Sequence, residues 1–342
     1  MTRFIKNIVR GKYLPVVIIY GLLMAVFIIL ESVYVDEPIV ENKPNSDTSV
    51  SVTPSETNNN ASIIFVGDIM LSREVERKMK QNGWDYPFSA VTDFIKSADA
   101  VFGNLETPII VGKEVKTSET TFRSDPEVAG ALKRAGFSIL SLANNHAMNF
   151  GAEGIKETFK YLNDASIAYV GAGNSEDEAY APKYVEINGI IFGFLAFTDT
   201  DVLPPDSSIY DVQPGVAVMN VERCMEAVRE AKAHADVLIV SIHSGTEYTD
   251  TPNLRQTVFA HAMIDEGADL IIGHHPHWVQ SIEQYNGKYI FYSLGNFIFD
   301  QMWSKKTREG LAIKINFDKK GIIDYDEYPI LIEDYSKPIL IR

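Results

Sequence analysis

The 342 residues suffice for one large domain or two smaller ones, and a hydrophobic share of 46% with 23% charged residues excludes a wholly disordered chain. The net charge is −15, or −19 without the first 30 residues; this excludes a basic nucleic-acid footprint, and an anionic polymer or lipid would need a local or metal-assisted site. The single cysteine, Cys224, excludes an internal disulfide and a cysteine-rich zinc site.

Residues 13–30 are an apolar run of 18 residues without a charge. As a helix this run would be about 27 Å long, close to the hydrocarbon thickness of a bilayer. Four basic residues precede it and acidic residues follow it, so the positive-inside rule predicts a cytoplasmic segment over 1–12 and an extracellular remainder. A cleaved signal peptide is the alternative, but the run is long for one and no A-x-A-like cleavage site follows. We therefore predict an uncleaved single-pass anchor in the cell membrane.

Residues 31–61 are predicted to be a flexible extracellular linker. Within them, 36–61 are rich in Ser, Thr, Asn and Pro, and they contain neither an aromatic residue nor a regular apolar period. From Ser62 onward, short apolar runs alternate with helical patterns, which predicts one folded domain over 62–335.

The domain has the element pattern of a layered α/β sandwich. Strands are predicted over 62–66, 100–103, 138–142, 167–170, 236–242, 269–273 and 289–294. Helices are predicted over 126–135, with Asp125 as cap and Pro126 at the first position, and over 152–164 and 221–233. Asn188-Gly189 predicts the turn of a hairpin spanning 183–197. Strands that alternate with helices before a strand-rich C-terminus (289–332) favour this α/β class.

Polar side chains follow the predicted strands, at the sheet edge where α/β proteins form their sites. They are Asp68, Asn104, Glu106, Asn144, Asn145, His146, His243, Glu247, His274, His275, His277, Asn296 and Asp300. Five of the seven histidines are in this set, at only three strand ends. Carboxylate, amide and imidazole groups together suit a divalent cation such as Mn²⁺, Fe²⁺ or Zn²⁺. Paired ions of this kind polarise a phosphoryl group and acidify a bound water. The sequence therefore predicts a metal centre.

Some of these residues also have a structural explanation when taken singly. Asp68 could cap the following helix, and Asn144-Asn145 could form a turn. His275-Pro276-His277 is the most specific local signal, because proline fixes the backbone between two imidazoles that project from one loop. The side chain of His274 should point away from that of its neighbour.

Six segments carry a resemblance to a known family. They are FVGDIML (65–71), GNLETPI (103–109), SLANNHAMNFG (141–151), IHSGTEY (242–248), GHHPHWVQSIE (273–283) and YSLGNFIFD (292–300). In order and spacing they resemble the CapA family of poly-γ-glutamate capsule synthesis proteins, a branch of the calcineurin-like metallophosphoesterase superfamily. The resemblance covers about residues 62–302 and implies a four-layer αββα sandwich.

The resemblance also implies roles for individual residues. The metal ligands would be Asp68, Glu106, Asn145, His243, His275 and His277. His146 would be the catalytic residue that donates to a phosphate or leaving group. Substrate contacts or support for the ligands would come from Asn104, Asn144, Glu247, Asn296 and Asp300.

At four positions the sequence departs from the family pattern. Met70 stands where many members carry histidine, and its soft thioether is a poor partner for Mn²⁺. Glu106 stands where a shorter aspartate is usual, and two residues later. Asn149 replaces a frequent aspartate, and Ser244 a frequent tryptophan. These differences bear on phosphatase turnover more than on the fold.

Three functional hypotheses follow. The first is an outward-facing component of poly-γ-glutamate synthesis or export, working beside an ATP-dependent ligase and a small membrane subunit on this or a related envelope polymer. The second is a divalent-metal hydrolase of the cell envelope that cleaves a phosphoester or an amide. The third is a non-catalytic scaffold that retains a vestigial site.

Overall fold

The computed structural model describes residues 60–202 and 215–341, and every structural statement below concerns these two ranges. The predicted cytoplasmic segment, the anchor over 13–30 and the linker up to residue 59 lie outside them. Within the two ranges, none of the helices combines the length and the hydropathy that crossing a membrane takes.

The first sheet combines parallel and antiparallel strands. Its parallel strands are β1 (Ala61–Ile69), β2 (Ala100–Leu105), β3 (Ile139–Ser141), β4 (Ala168–Val170) and β13 (Asn296–Ile298). Its antiparallel strands are β14 (Glu309–Asp318), β15 (Gly321–Glu333) and β16 (Lys337–Leu340). The order is β16-β15-β14-β1-β2-β3-β4, and β13 pairs with β1. The domain therefore extends past the predicted boundary at residue 335, because β16 pairs with β15.

The second sheet has six strands around a parallel centre. They are β6 (Lys183–Ile187), β7 (Ile190–Thr198), β9 (Val237–His243), β10 (Leu270–His274), β11 (Ile282–Tyr285) and β12 (Lys288–Phe291), in the order β11-β12-β10-β9-β7-β6. A short separate pair joins β5 (Ala172–Gly173) to β8 (Gly215–Val216). The predicted hairpin is confirmed: Asn188 and Gly189, with φ of 51° and 81°, connect β6 to β7.

Helices connect the strands in both halves of the chain. They are α1 (Arg73–Asn82), α2 (Thr92–Ile95), α3 (Glu127–Ala135), α4 (Gly151–Asp164), α5 (Glu176–Tyr180), α6 (Val221–Lys232), α7 (Leu254–Asp265) and α8 (Lys305–Arg308). The predicted cap of α3 is wrong: Pro126 is the N-cap, and no side chain caps this helix. The carboxylate of Asp125 instead forms ion pairs with Arg123 at 2.5 Å and with Lys80 at 2.7 Å.

Three hydrophobic clusters give the layers. One lies between the sheets, where the rings of Phe102 and Phe194 stack with centroids 5.7 Å apart. A second packs the outer face of the first sheet against α1, α3 and α4, and a third packs the outer face of the second sheet against α6 and α7. The predicted α/β class is confirmed, with helices outside two facing sheets. Each fully buried large apolar side chain contributes about 1.5–3 kcal/mol by leaving water.

Strand register brings the polar strand ends together. Asp68 lies within β1 and is in register with Asn104 of β2 on one side and Asn296 of β13 on the other. On the second sheet, His243 is in register with His274. Gly67 allows β1 to approach this edge, because a Cβ at that position would lie 1.9 Å from the carbonyl oxygen of Gly295.

Candidate metal centre

Two carboxylates and an imidazole form the centre of the site. One ligand atom each of Asp68, Glu106 and His277 lies within 4.8 Å of the other two, and all three residues are buried. Neither carboxylate oxygen of Glu106 has a hydrogen-bond partner within the described ranges. Burial and the charge of Asp68 raise the pKa of Glu106 well above its usual value. Because an unpaired buried carboxylate is costly, a proton or a cation must compensate it. This donor set fits a divalent cation.

Asp68 is held ionised at the centre of this group. Its Oδ1 accepts a hydrogen bond from Asn104 Nδ2 at 2.8 Å, and its Oδ2 accepts one from the backbone N–H of His275 at 3.3 Å. Burial opposes the charge, but His277, whose Nδ1 lies 3.5 Å from Asp68 Oδ2, and the other nearby imidazoles hold the pKa of Asp68 well below its usual range. The residue is therefore available as an anionic ligand at neutral pH.

The amide of Asn296 decides which nitrogen of His277 keeps a free lone pair, while Nδ1 lies 3.5 Å from Asp68 Oδ2. Its Nδ2 donates to the carbonyl of Thr307 at 2.8 Å and to Gln301 Oε1 at 3.2 Å, so its Oδ1 faces His277 Nδ1 at 2.9 Å. Because this oxygen only accepts, Nδ1 carries a proton and Nε2 is the nitrogen left for an ion. Glu247 Oε1 lies 3.9 Å from Nε2 at the exposed rim.

A second set of ligand candidates lies beside the first. His243 Nε2 is 2.9 Å from Asn145 Oδ1, and the rings of His243 and His275 are 4.8 Å apart. The Nδ1 atom of His275 is buried and has no hydrogen-bond partner among the described residues. Burial lowers the pKa of His243 well below its ordinary value and that of His275 to about 3. Both imidazoles are therefore neutral at pH 7, the form that binds metals.

His146 faces the same space from the opposite side. Its Nε2 lies 3.7 Å from Glu106 Oε1, and its Nδ1 lies 3.0 Å from Asn149 Oδ1. That oxygen also accepts the backbone N–H of Phe122 at 2.8 Å, and the Phe122 ring stacks on the imidazole at 3.8 Å. Burial lowers the pKa of His146 to about 4. His146 is thus a fixed, neutral imidazole whose Nε2 can accept a proton beside the carboxylates.

Most of the residues predicted to share a site are brought together. Asp68, Asn104, Glu106, Asn144, Asn145, His146, His243, His275, His277 and Asn296 form one continuous group of contacts. Asn144 links Asn104 to His146, since its side chain donates to Asn104 Oδ1 and accepts a hydrogen bond from the backbone N–H of His146, both at 3.1 Å. His274 points between the sheets instead, with Nε2 3.3 Å from the carbonyl of Val66.

Arg73 is the member of this region that sequence reasoning missed. Asp300 pairs with it through Arg73 Nε at 3.2 Å, so this aspartate does not face the cluster. The guanidinium lies 4.7 Å from the Phe122 centroid and 5.9 Å from that of Phe299. A single arginine two residues after the FVGDIML segment gives no signal of its own. Its position became evident only with the packing.

Met70 does not face the metal candidates. It belongs to the hydrophobic cluster outside the first sheet, and its Sδ accepts the backbone N–H of Ser72 at 3.1 Å. Ser244, which stands where tryptophan is frequent in the family, donates its hydroxyl to Asp199 Oδ2 at 2.8 Å. Both side chains therefore have structural partners.

The loop with two projecting imidazoles is strained. His275 and His277 have φ of 97° and 59°, values that non-glycine residues adopt at a cost of about 1–3 kcal/mol each. Such strain persists where the surrounding structure holds it and is common at functional sites. The structure thus places backbone strain in the segment that the sequence singled out.

Metal affinity should rise with pH because His277 must lose a proton to bind an ion through Nε2. Burial opposes protonation, but the Asp68 carboxylate, 3.5 Å from Nδ1, and the charge of Glu106 raise the pKa of His277 to about 9. We expect the Mn²⁺ affinity to increase about tenfold per pH unit from 6.5 towards 9. Titration calorimetry in two buffers of different ionisation enthalpy would measure both the affinity and the proton released.

The metal-free protein should show the opposite trend. A histidine with a raised pKa stabilises the fold fully below its unfolded value of 6.5, and that contribution is lost as pH rises through about 9. In EDTA, the melting temperature of His277→Gln should therefore fall less over this range than that of the wild type. A Mn²⁺ affinity that stays constant over the same range would contradict the assignment of Nε2.

Comparisons with known proteins show what this chain is similar to. A family model described as bacterial capsule synthesis protein PGA_cap matches residues 62–301. The PGA biosynthesis protein CapA of Bacillus subtilis strain 168 is 40% identical over 273 residues, which cover 79% of this chain and 71% of the relative. The capsule biosynthesis protein CapA of Bacillus anthracis is 36% identical over 291 residues, covering 82% and 70%. Among solved structures, the calcineurin-like phosphoesterase YfkN of Bacillus subtilis matches 79% of this chain and 90% of its own, with a TM-score of 0.49 and 18% identity.

Proposed function

The chain belongs to the bacterial capsule synthesis protein family PGA_cap, and from this membership we propose that it is a component of poly-γ-glutamate capsule synthesis or export. Two relatives named for PGA or capsule biosynthesis cover more than two thirds of this chain and support the assignment. We also infer that the sandwich is of the calcineurin-like metallophosphoesterase type. Poly-γ-glutamate, or a related envelope polymer, is the ligand that this function requires.

The single observation that carries a metal-dependent role is the Glu106 carboxylate, which has no hydrogen-bond partner among the described residues. It lies beside Asp68 and His277 in a buried group of ligand atoms. Glu106, Asp68 and His277 would hold one divalent ion, and Asn145, His243 and His275 are candidates for a second. A bound ion would supply Lewis-acid chemistry towards a phosphoryl or carbonyl oxygen. Mn²⁺, Fe²⁺ and Zn²⁺ all suit these donors.

The proposed location is the outer face of the cell membrane. It is supported by the apolar run over 13–30 and by the four basic residues before it, which favour a cytoplasmic N-terminus. In this arrangement the domain would meet the polymer as it leaves the membrane. A cytoplasmic ligase and a small membrane subunit are the partners that such a pathway calls for.

A second candidate function is hydrolysis at the same site. The observation that favours it is the position of His146 Nε2, 3.7 Å from Glu106 Oε1, with its other nitrogen held by Asn149. A neutral imidazole so placed can take a proton from an attacking water and return it to a leaving group. A capsule component that also cleaves a phosphoester or amide would combine both functions.

Gene inactivation in a polymer-producing strain tests the proposal. We expect cell-associated γ-linked glutamate polymer to fall to background and to return when the wild-type gene is supplied. Complementation with Glu106→Gln should fail, because the amide cannot replace an anionic ligand. Glu186→Gln is the matched control, since Glu186 is an exposed residue of β6 on the opposite sheet. Undiminished polymer in the inactivated strain would reject the capsule function.

A further inference from the structure

An aromatic group extends from the metal candidates to the protein surface. The Tyr248 ring stacks on His277 with centroids 5.8 Å apart, and Trp303 meets Tyr248 edge-on at 4.9 Å. The Tyr248 hydroxyl accepts from Gln301 Nε2 at 3.2 Å, and Gln301 in turn accepts from Asn296, which faces His277. Tyr248 is therefore fixed on both its ring and its hydroxyl, and it joins the surface to the site.

Trp303 is the exposed end of this group. Its exposed fraction is 64%, although tryptophan has a large apolar area that is normally covered. The only ring contact found for it within the described ranges is the one with Tyr248. An exposed indole that continues a fixed aromatic row into a buried site is well placed to contact a ligand that enters the site.

The segment around Trp303 is basic on an otherwise acidic domain. Residues 303–308 read Trp-Ser-Lys-Lys-Thr-Arg, with three basic side chains and no acidic one, whereas residues 31–342 carry −19 overall. Lys305 and Lys306 are exposed by 80% and 50%. Lys305 pairs with Glu309 at 2.9 Å, and Lys306 pairs with Asp250 at 2.8 Å and also lies 4.4 Å from the Trp278 ring centroid. Ion pairs of an exposed lysine contribute little stability and can exchange for a ligand carboxylate.

We propose that Trp303, Lys305, Lys306 and Tyr248 form a binding subsite for a carboxylate-bearing polyamide segment that leads into the metal centre. This inference rests on the proposed capsule function and names the surface by which that function engages its polymer. Amide planes and methylene groups of the chain would stack on the two aromatic rings, and its carboxylates would pair with the two ammonium groups. When ligand carboxylates replace Glu309 and Asp250 at the two ammonium groups, the subsite would supply the positive charge that an acidic domain needs to hold a polyanion.

An anionic lipid surface is the other ligand that could bind an exposed tryptophan beside lysines. The geometry favours the polymer, because the aromatic row runs inward to His277 and a single exposed indole offers little apolar area for insertion. A ligand that threads towards the site uses both ends of the row, whereas a lipid headgroup would use only Trp303 and the lysines.

Binding of a labelled γ-linked glutamate decamer to the purified full-length chain tests the subsite. Fluorescence anisotropy should show that Trp303→Ala weakens the decamer about tenfold, as truncation of a central aromatic contact does. Lys305→Gln with Lys306→Gln should also weaken it and flatten its salt dependence. The matched control is Lys319→Gln with Lys320→Gln, which removes the same charge from an exposed turn about 30 Å away along β14; it should leave the affinity unchanged.

Three outcomes would overturn the subsite. The first is that the wild type does not bind the decamer. The second is that the Trp303 and lysine variants bind it with the same affinity as the wild type. The third is that glycerol phosphate displaces the decamer when both are at the same concentration. Each can occur while gene inactivation still abolishes the polymer, so the subsite and the capsule function fail separately. A decamer of γ-linked isoglutamine, in which α-amides replace the carboxylates, should bind more weakly than the glutamate decamer.

Discussion

Replacing Glu106 with glutamine is expected to remove bound divalent metal without unfolding the protein. Both carboxylate oxygens lack hydrogen-bond partners in the described part of the chain, so the isosteric amide breaks no existing bond. It removes the negative charge that lies with Asp68 and His277 around the ion position. Removing a residue that hydrogen-bonds a metal ligand typically lowers the metal affinity about 10–100-fold. Loss of a direct ligand should therefore lower it about 100-fold or more.

The same substitution should stabilise the metal-free protein at alkaline pH. Because the folded pKa of Glu106 lies above its unfolded value, the wild type loses stability as pH rises beyond 4.5, and a glutamine does not titrate. In EDTA at pH 8 the variant should therefore melt at a higher temperature than the wild type. Opposite effects on metal content and on metal-free stability would distinguish a ligand from a residue that only supports the fold.

Elemental analysis and calorimetry of the full-length chain would measure both effects. Glu186→Gln serves as the control, since it changes the same groups at an exposed strand position. Equal metal content in wild type and Glu106→Gln would refute the ligand role. No bound metal in either protein, with no gain in melting temperature on adding Mn²⁺, would favour the scaffold hypothesis.

Loss of the His146 imidazole is expected to have the largest effect on any hydrolytic activity. With Mn²⁺ and a generic phosphodiester, His146→Gln should lower the rate about 10²–10⁴-fold, the usual contribution of a positioned acid or base. Metal content and melting temperature should stay near those of the wild type, because the imidazole is neutral and lies beside the ligands. This combination separates a proton-transfer role from a structural one.

Asn149→Asp is the variant that tests how His146 works. In the wild type, Asn149 Oδ1 lies 3.0 Å from His146 Nδ1. Aspartate keeps an oxygen at this position and adds a negative charge, which raises the pKa of the imidazole. The rate profile should then shift to higher pH, with its shape preserved. A wild-type protein that hydrolyses nothing with any of several divalent metals would reject the hydrolase and leave the capsule role to stand on its own test.

Several elements were predictable because their signals are local. The alternation of apolar runs and helical patterns predicted the α/β class, and Asn188-Gly189 predicted the hairpin turn. The cap of α3 was not predictable, because Asp125 has a local use as a helix cap and a tertiary use as a partner of Arg123 and Lys80. Two cations within 2.7 Å outweigh one cap hydrogen bond, and one of them, Lys80, comes from a distant part of the chain.

For the site as well, residue identities were predictable from the sequence, but side-chain directions were not. Strand ends are marked in the sequence, so the residues able to bind an ion could be named before the fold was known. Asp300 also stands near a strand end, yet it pairs with Arg73, and Met70 turns its sulfur to the backbone of Ser72. Side-chain direction depends on packing around each residue, which no motif contains.

By itself, the sequence determined the family, the α/β class, and the list of side chains that could serve a metal centre, because chain order and residue type are enough for these. Only the tertiary structure decided that Glu106 is buried without a hydrogen-bond partner among the described residues, that Asn296 leaves a lone pair on Nε2 of His277, and that Trp303 lies at the outer end of an aromatic row. The physical reason is distance along the chain. Asp68 and His275 are 207 residues apart, and their contact exists only where two sheets pack face to face.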